Sequence, residues 1–297
     1  MRALGVAGML LLAGCASNPG FPDSDYWRVQ AALLQDNGLL RSERAPADAP
    51  FNNADIAEAF RRIMFYDEYA LEDGRFVERQ VPRLLEKFEG PVTVSLQGNA
   101  IRPTDRRQLG TMLARLRRAT GLQITETPEL DEASVIVSML DAVGRRGLAD
   151  ALSTKPTWQG VADELRGDLG GAVCVAYSLT NDTDAGGLRY LIVIPDELRG
   201  LMRQSCIEEE IGQAFGPSAD WDGARPSVFN DDEEFALLTE HDEWLLRILY
   251  DARLRPGMTE AEGMPIARRI LAELRPDGAG PVKRLSDRRR ETDDTMQ

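Results

Sequence analysis

Histidine is almost absent from the sequence, whose 297 residues include a single one, His241. Catalytic zinc sites usually take several imidazoles, and a Ser-His-Asp or Cys-His arrangement needs one as its base. One histidine therefore excludes a zinc site built on two or three imidazoles. We expect His241 to be a partly exposed helix residue rather than a ligand. The sequence also lacks a glycine-rich phosphate loop, which argues against a nucleotide-phosphate site.

Positive charge is also scarce, with 35 Lys and Arg residues against 49 Asp and Glu residues and a formal net charge of −14. An acidic surface disfavours nucleic acid and long-range attraction to anionic lipid head groups, and it favours basic partners. After the N-terminal segment no apolar run approaches the length of a membrane span. The composition therefore predicts an acidic body with no nucleic-acid partner.

The N-terminus carries a targeting signal. Arg2 precedes an apolar run over residues 3–13, and residues 12–15 read L-A-G-C. A short apolar run that ends in small residues is typical of a secretory signal, and the small-small-Cys ending resembles a bacterial lipoprotein signal. We expect residues 1–14 to be removed and Cys15 to carry a lipid anchor. Ala16 rather than an aspartate follows the cysteine, which resembles lipoproteins that are sorted to the outer membrane and face the periplasm.

Hydrophobic periodicity divides the rest of the chain into a tether and linker (15–50), one domain (51–276) and a disordered tail (277–297). In the domain, strands alternate with helices and are followed by helices alone. This order predicts an α+β fold with a mixed β-sheet, a central helix and a mainly helical C-terminal part. Strands are predicted over residues 92–96, 122–125, 134–140, 172–179 and 188–194. Helices are predicted over residues 26–40, after an N-cap at Asn53, from an N-cap at Thr104 to Gly121, over residues 158–165, from Pro195 to Gly216, after a capping box at Thr239 and from Thr259.

The last turns of the central helix carry the most distinctive pattern. They resemble the zinc motif of metzincin peptidases, H-E-x-x-H-x-x-G-x-x-H, in which two histidines one helical turn apart bind the metal. Gly216 matches the glycine of the motif, and Glu210 matches its catalytic glutamate. The three ligand positions hold Glu209, Gln213 and Ala219. The resemblance implies a zincin-like fold with a degenerate zinc motif.

Two later stretches carry the same resemblance. Metzincins follow the zinc helix with a turn reading roughly S-[IV]-M, and Ser227-Val228-Phe229 stands at that place. Their final helix reads roughly L-T-x-x-D-x-x-x-[IL]-x-x-L-Y, which residues 238–250 follow closely. The resemblance implies a substrate groove bordered by Asp220, Ser227 and Phe229.

Residues 39–274 also resemble a family of Gram-negative lipoproteins known only as a domain of unknown function. The stretch at residues 46–51, the helix at residues 206–216 and the ending at Tyr250 and Asp251 carry this likeness. The family implies an architecture but no activity.

Without imidazoles the motif has no suitable zinc ligands, so we expect no metal cofactor. The carboxylates of Glu209, Glu210 and Asp220 suit a hard cation, which leaves a structural calcium ion as an alternative. The simpler interpretation is that Glu208, Glu209 and Glu210 form a solvated face of the helix.

Cys174 and Cys206 remain once Cys15 is lipidated, one on a predicted strand and the other on the central helix. The cell envelope is oxidising, so we expect a disulfide between them. A free catalytic thiol is the alternative, and it would need His241 as its base.

Two functions from different classes stay open. The first is a catalytically inactive metallopeptidase-like domain that binds a peptide or an envelope protein in its groove. The second is a divergent hydrolase that uses Glu210 as a general base, with or without an oxygen-ligated metal. In both, the only expected contact with the membrane is through the N-terminal lipid.

Overall fold

The computed structural model describes residues 20–72, 75–179, 187–230 and 232–278. They form the predicted α+β fold, in which a mixed sheet precedes a mainly helical C-terminal part. The predicted signal segment, the lipidation site at Cys15 and nearly all of the predicted tail lie outside the described residues. No helix in the described ranges is long and apolar enough to cross a membrane.

The elements are numbered in chain order. The helices are α1 (Ser24–Asp36), α2 (Asn53–Met64), α3 (Pro103–Thr120), α4 (Ala142–Leu152), α5 (Gln159–Arg166), α6 (Gly200–Ala214), α7 (Glu240–Leu249) and α8 (Glu260–Leu274). The strands are β1 (Tyr66–Glu72), β2 (Arg75–Pro82), β3 (Val92–Gln97), β4 (Ile124–Glu126), β5 (Val135–Leu140), β6 (Val175–Ser178) and β7 (Tyr190–Pro195).

Five strands form the main sheet in the order β4-β3-β5-β7-β6, and β1 and β2 form a separate hairpin. All neighbours in the main sheet are parallel except β6, which lies antiparallel to β7 at one edge. The central strands β5 and β7 are buried along their whole length, as expected for strands covered on both faces. β6 is one of the two edge strands of this sheet, and it lies next to α6.

Side chains alternate between two hydrophobic cores across the sheet, since successive residues of a strand point to opposite faces. Val135 and Val137 of β5 enter the larger core with α2, α3, α6 and α7. Ile136 of the same strand enters the smaller core with α4 and α5. α6 thus packs in the larger core, on the face opposite α4 and α5.

The structure corrects several predicted starts of helices. Asn52 rather than Asn53 caps α2, and α3 begins at Pro103, so Thr104 lies inside the helix. α6 begins at Gly200 instead of Pro195, because Pro195 still belongs to β7. By contrast, the capping box predicted at Thr239 is confirmed.

Three elements were not predicted. Residues 142–171 contain α4 in addition to the predicted α5, since Asp141 caps α4 and accepts from two backbone N–H groups. Gly144 and Gly147 lower the intrinsic helix propensity there, which made the segment resemble a loop. The other two are strands β1 and β2, which form a hairpin directly after α2.

The segment predicted as a tether and linker is partly folded onto the domain. Its first half contains α1. Farther on, Leu40 is buried and Arg41 pairs with Phe235 in an isolated parallel β-bridge. Arg41 also forms ion pairs with Asp48 at 2.8 Å and Glu234 at 2.9 Å. Residues 40–48 therefore act as a strap across the loop at residues 225–236.

Candidate ligand cleft

A cleft of about 370 Å³ lies between the edge strand β6 and α6. One wall consists of residues 171–176, which include the start of β6. The other wall is one face of α6, which contributes Met202, Ser205, Cys206, Glu209, Glu210 and Gln213. The remaining lining residues are Ser218, Asp220 and Glu233.

The register of β6 directs part of its backbone into this cleft. Leu179 N–H donates to the Arg189 carbonyl at 2.8 Å, and hydrogen-bonded pairs of an antiparallel ladder alternate with pairs that share no hydrogen bond. Ala176, paired with Ile192, is three residues from Leu179 and belongs to the second kind. Its N–H and C=O therefore point away from β7, and its N–H interacts with the Glu210 carboxyl.

The predicted disulfide is confirmed and ties the two walls together. Cys174 and Cys206 are bonded with a Cα–Cα distance of 5.9 Å and a sequence separation of 32. Cys174 precedes β6 and Cys206 lies on α6, and both line the cleft. The bridge fixes the distance between the walls, and it excludes a free catalytic thiol at either position.

Glu210 is the most buried ionisable group of the cleft, with 5 % of its surface exposed. Burial raises the pKa of its carboxyl to about 8, and the Ala176 N–H opposes this shift only in part. The other carboxyls that line the cleft are Glu209, Asp220 and Glu233. A carboxyl with this pKa is mostly protonated at neutral pH, so it can donate a hydrogen bond as well as accept one.

The structure brings together most of the predicted motif residues. Glu209, Glu210 and Gln213 face the cleft with Asp220, and Gln213 Nε2 donates to Asp220 Oδ2 at 3.2 Å. Ala219 is buried and does not line the cleft. The described part of the chain contains no group of three or more His, Cys, Asp or Glu side chains that could hold a metal ion.

Ser227 and Phe229 lie behind α6 instead of bordering the cleft. Phe229 is fully buried, and a Cβ on Gly212 would lie 2.8 Å from its Cζ. Because Gly212 has no side chain, the phenyl ring packs directly against α6. Ser227 Oγ donates to Asp242 on α7, which also accepts from Val228 N–H at 3.1 Å.

Gly216 follows α6 and its cap Phe215 with φ at +127°, a conformation that favours glycine. A side chain there would also collide with Leu249, because a Cβ would lie 2.4 Å from Leu249 Cδ2. The motif glycine therefore has a local structural reason, namely the close turn that brings the chain from α6 toward Ala219 and Asp220.

A family model described as a protein of unknown function, DUF2927, matches residues 53–269, which is most of the chain. The chain belongs to the DUF2927 family. This match confirms the expected resemblance to a family known only as a domain of unknown function. All five strands of the main sheet, α6 and the cleft lie within the matched residues, whereas α1 and the strap precede them. No curated protein matches the chain.

Behind the cleft, the DUF2927 domain contains a buried charge network that the sequence interpretation missed. Glu208 was expected on a solvated face with its neighbours, but only 3 % of its surface is exposed. It accepts from Arg115 Nη1 at 2.8 Å and from Leu238 N–H at 2.8 Å. Arg115 also pairs with Glu243 on α7 at 3.2 Å. The network joins α3, α6 and α7, and no single helix carries a sequence signal for it.

His241 is buried in the DUF2927 domain, with 1 % of its surface exposed, so its expected partial exposure is wrong. Its ring lies edge-on to Phe51 with 5.1 Å between the centroids. Phe51 belongs to the segment predicted to start the domain, and its packing onto α7 explains the burial of the histidine.

Proposed function

We propose that the cleft binds an extended peptide segment that carries a basic side chain, in a zincin-like domain without catalytic activity. The observation that carries the proposal is the combination of chemical groups on the two walls of the cleft. One wall offers the backbone of an edge strand, and the other offers buried and half-buried carboxyl groups.

The strand wall suits main-chain recognition. An exposed sheet edge binds extended peptides by adding a strand, so that backbone hydrogen bonds supply affinity and neighbouring pockets supply specificity. The Ala176 C=O points away from β7, toward the cleft, beside the N–H that interacts with Glu210. The Cys174–Cys206 bridge holds the start of this edge at a fixed distance from α6.

The helix wall determines the charge of the ligand. Four carboxyl groups line the cleft, those of Glu209, Glu210, Asp220 and Glu233, and none of its described lining residues is Lys, Arg or His. A guanidinium or ammonium group next to Glu210 would favour its ionised form and so bind with release of a proton. A basic segment therefore complements the cleft better than a neutral or acidic one.

Three landmarks support the zincin-like interpretation. The motif helix α6 lies beside the cleft, the turn at Ser227-Val228-Phe229 packs beneath it through Gly212, and α7 follows at the expected place. The metal ligands do not fit the chemistry of zinc, because Gln213 offers an amide and Ala219 offers no donor atom.

The divergent hydrolase is the second candidate, and the raised pKa of Glu210 is the observation that favours it, because perturbed carboxyls in clefts often act as acids or bases. A carboxyl with a pKa of about 8 is a poor general base at neutral pH, since most of it is already protonated. A peptide-binding role does not require Glu210 to be ionised before the ligand binds.

We place this domain on the periplasmic side of the outer membrane, held by a lipid on Cys15. The support is the L-A-G-C sequence at residues 12–15 followed by Ala16. In that compartment the partner would be a basic stretch of an envelope protein.

The test is the binding of two labelled valine–threonine peptides, one with a central arginine and the other with a central glutamate, to the full chain. Fluorescence anisotropy should show at least about tenfold tighter binding of the arginine peptide, or ~1.4 kcal/mol. Ala176→Trp should abolish binding because the indole fills the cleft beside Glu210. Ala151→Trp, at an exposed position of α4, is the matched control and should bind normally.

Equal affinity for both peptides, or normal binding by the Ala176→Trp variant, would reject the proposed cleft. Cleavage of either peptide that Glu210→Gln abolishes would instead establish the hydrolase. Each variant is first compared with the parent chain in urea denaturation, so that loss of binding is not mistaken for loss of folding.

A further inference from the structure

The outward face of α3 is strongly basic, in contrast to the acidic chain as a whole. Its exposed arginines are Arg106, Arg107, Arg117 and Arg118. At 100° per residue, the positions between them on the same face hold glycine, threonine and alanine but no carboxylate. Solvated helix faces usually mix charges of both signs, so a face with one sign is unusual.

These arginines do not belong to the ion-pair networks of the fold. Arg106, Arg107 and Arg118 form no ion pair or side-chain hydrogen bond with any residue in the described ranges, and Arg117 donates only to the Ile124 carbonyl. By contrast, Arg253, which is also solvated, pairs with two carboxylates. The charge of the α3 face is therefore not neutralised within the described structure.

The helix dipole explains only part of the pattern. Arg117 and Arg118 lie in the last turn of α3, where positive charge is favourable. Arg106 and Arg107 lie near the other end, where the dipole gives positive charge no advantage. About 16 Å of helix separates Arg106 from Arg117, at 1.5 Å per residue. The small residues between them leave the guanidinium groups as the most prominent parts of the face.

We propose that this face of α3 lies on the surface of an anionic phospholipid bilayer and binds its phosphate groups. A guanidinium pairs with phosphate through two parallel hydrogen bonds, which suits arginine better than lysine. The arginines are spread along the outer surface of one helix, so they suit an array of phosphates rather than one small anion. Its charges act within about 10 Å at 0.1 M salt, so the net charge of −14 on the whole chain does not cancel them.

The proposal rests on α3 alone and is independent of the cleft. A lipid on Cys15 would hold the protein near a bilayer, and the α3 face would then determine which side of the domain turns toward it. The apolar acyl anchor and the basic face would act together, as two weak signals commonly do in membrane attachment.

The experiment uses the full chain in lipid vesicles, with an environment-sensitive dye attached to a single introduced cysteine. Gly110→Cys places the dye on the α3 face, where a Cβ meets nothing within 4 Å. Gly160→Cys on α5 has equally open space and serves as the control. The parent chain, treated with the same dye, gives the background from its own cysteines.

In vesicles of phosphatidylcholine with roughly one quarter phosphatidylglycerol, the dye at Gly110→Cys should shift to the blue and become protected from an aqueous quencher. The same dye at Gly160→Cys should not change. Pure phosphatidylcholine vesicles, or salt raised to roughly 0.5 M, should remove the shift. Each arginine near an anionic surface strengthens partitioning about fivefold, so Arg106→Gln with Arg107→Gln should weaken the contact about 25-fold.

The proposal fails if the dyes at the two positions respond equally, if neither responds, or if the shift persists in neutral vesicles. A shift produced by soluble polyglutamate but not by anionic vesicles would also reject it, and would assign the face to an acidic protein partner. The two arginine changes lie on an exposed face, so urea denaturation should show no loss of stability beyond about 0.5 kcal/mol.

Discussion

Two carboxyl groups on α6, only two residues apart, have opposite environments. Glu208 and Glu210 are both buried, with 3 % and 5 % of their surfaces exposed. Glu208 faces α3 and α7, where Arg115 and two further donors satisfy its oxygens. Glu210 faces the cleft, and within the described residues no Arg, Lys or His side chain forms an ion pair with it. One helix therefore carries a neutralised charge on its packed side and an uncompensated carboxyl on its open side.

The two groups show how a buried acid of the framework differs from a buried acid of a ligand site. Burial raises the pKa of both, but for Glu208 the positive charge of Arg115 acts against the shift. For Glu210 only a backbone N–H opposes it. A fold keeps a buried charge by pairing it, whereas a group left without a cation beside a cleft is available for an external one.

The largest loss of stability should come from removing the cation that pairs with Glu208. Arg115→Met leaves Glu208 and Glu243 buried without their shared cation, and we expect it to lower the free energy of unfolding by about 3–5 kcal/mol. Arg118→Met, on the exposed face of the same helix, should change it by less than about 0.5 kcal/mol. Urea denaturation measures both. Equal stabilities would show that the network is not needed for folding.

We expect the second largest loss of stability from removing the disulfide, because it holds the open side of α6 against β6. A bridge across a separation of 32 residues stabilises a fold by about 3–4 kcal/mol in the chain-entropy model. Replacing both Cys174 and Cys206 by alanine should lower the urea midpoint accordingly. It should also weaken binding of the arginine peptide, since the cleft walls are no longer tied. Parent chain treated with a reductant under denaturing conditions, then refolded, should match the double variant.

The main sheet, the disulfide and the location of Glu210 could be predicted from the sequence. The sheet strands were predictable because β5 and β7 are continuous apolar runs, and the disulfide was predictable from two cysteines in an oxidising compartment. Glu210 was located in a groove by its place in the motif. Its pKa was not predictable, because the shift depends on burial beside β6, which is distant in sequence.

The pairing of Glu208 with Arg115 could not be predicted from the sequence, for a different reason. Glu208 stands in a run of three acids, which on its own indicates a solvated face. Its partner Arg115 lies 93 residues earlier in the chain, and only the packing of α3 on α6 brings the two together. The burial of His241 likewise depends on Phe51, on a segment far from α7 in sequence. Contacts of this kind follow from tertiary packing and leave no periodic signal.

The smallest expected change in stability concerns Glu210, and it is a gain instead of a loss. Its pKa is raised from an ordinary value of 4.5 to about 8, so the native state holds a proton that the unfolded chain has lost at neutral pH. The carboxyl therefore has no effect on stability below about pH 4, and its cost grows as pH rises from there to about 8. Glu210→Gln should remove this dependence and raise the free energy of unfolding at about pH 6.5 by roughly 2–3 kcal/mol.

Glu208→Gln provides the matched control, because it makes the same chemical change two residues away. Burial raises the pKa of Glu208 as well, but the loss of its charge also leaves Arg115 buried without a full counter-charge. We therefore expect stability to fall at neutral pH instead of rising. Urea denaturation of both variants at about pH 4 and pH 8 separates the two sides of the helix. If Glu210→Gln also destabilised the protein at pH 8, Glu210 would be ionised and paired in the native state, and the cleft would already contain the cation that we assign to its ligand.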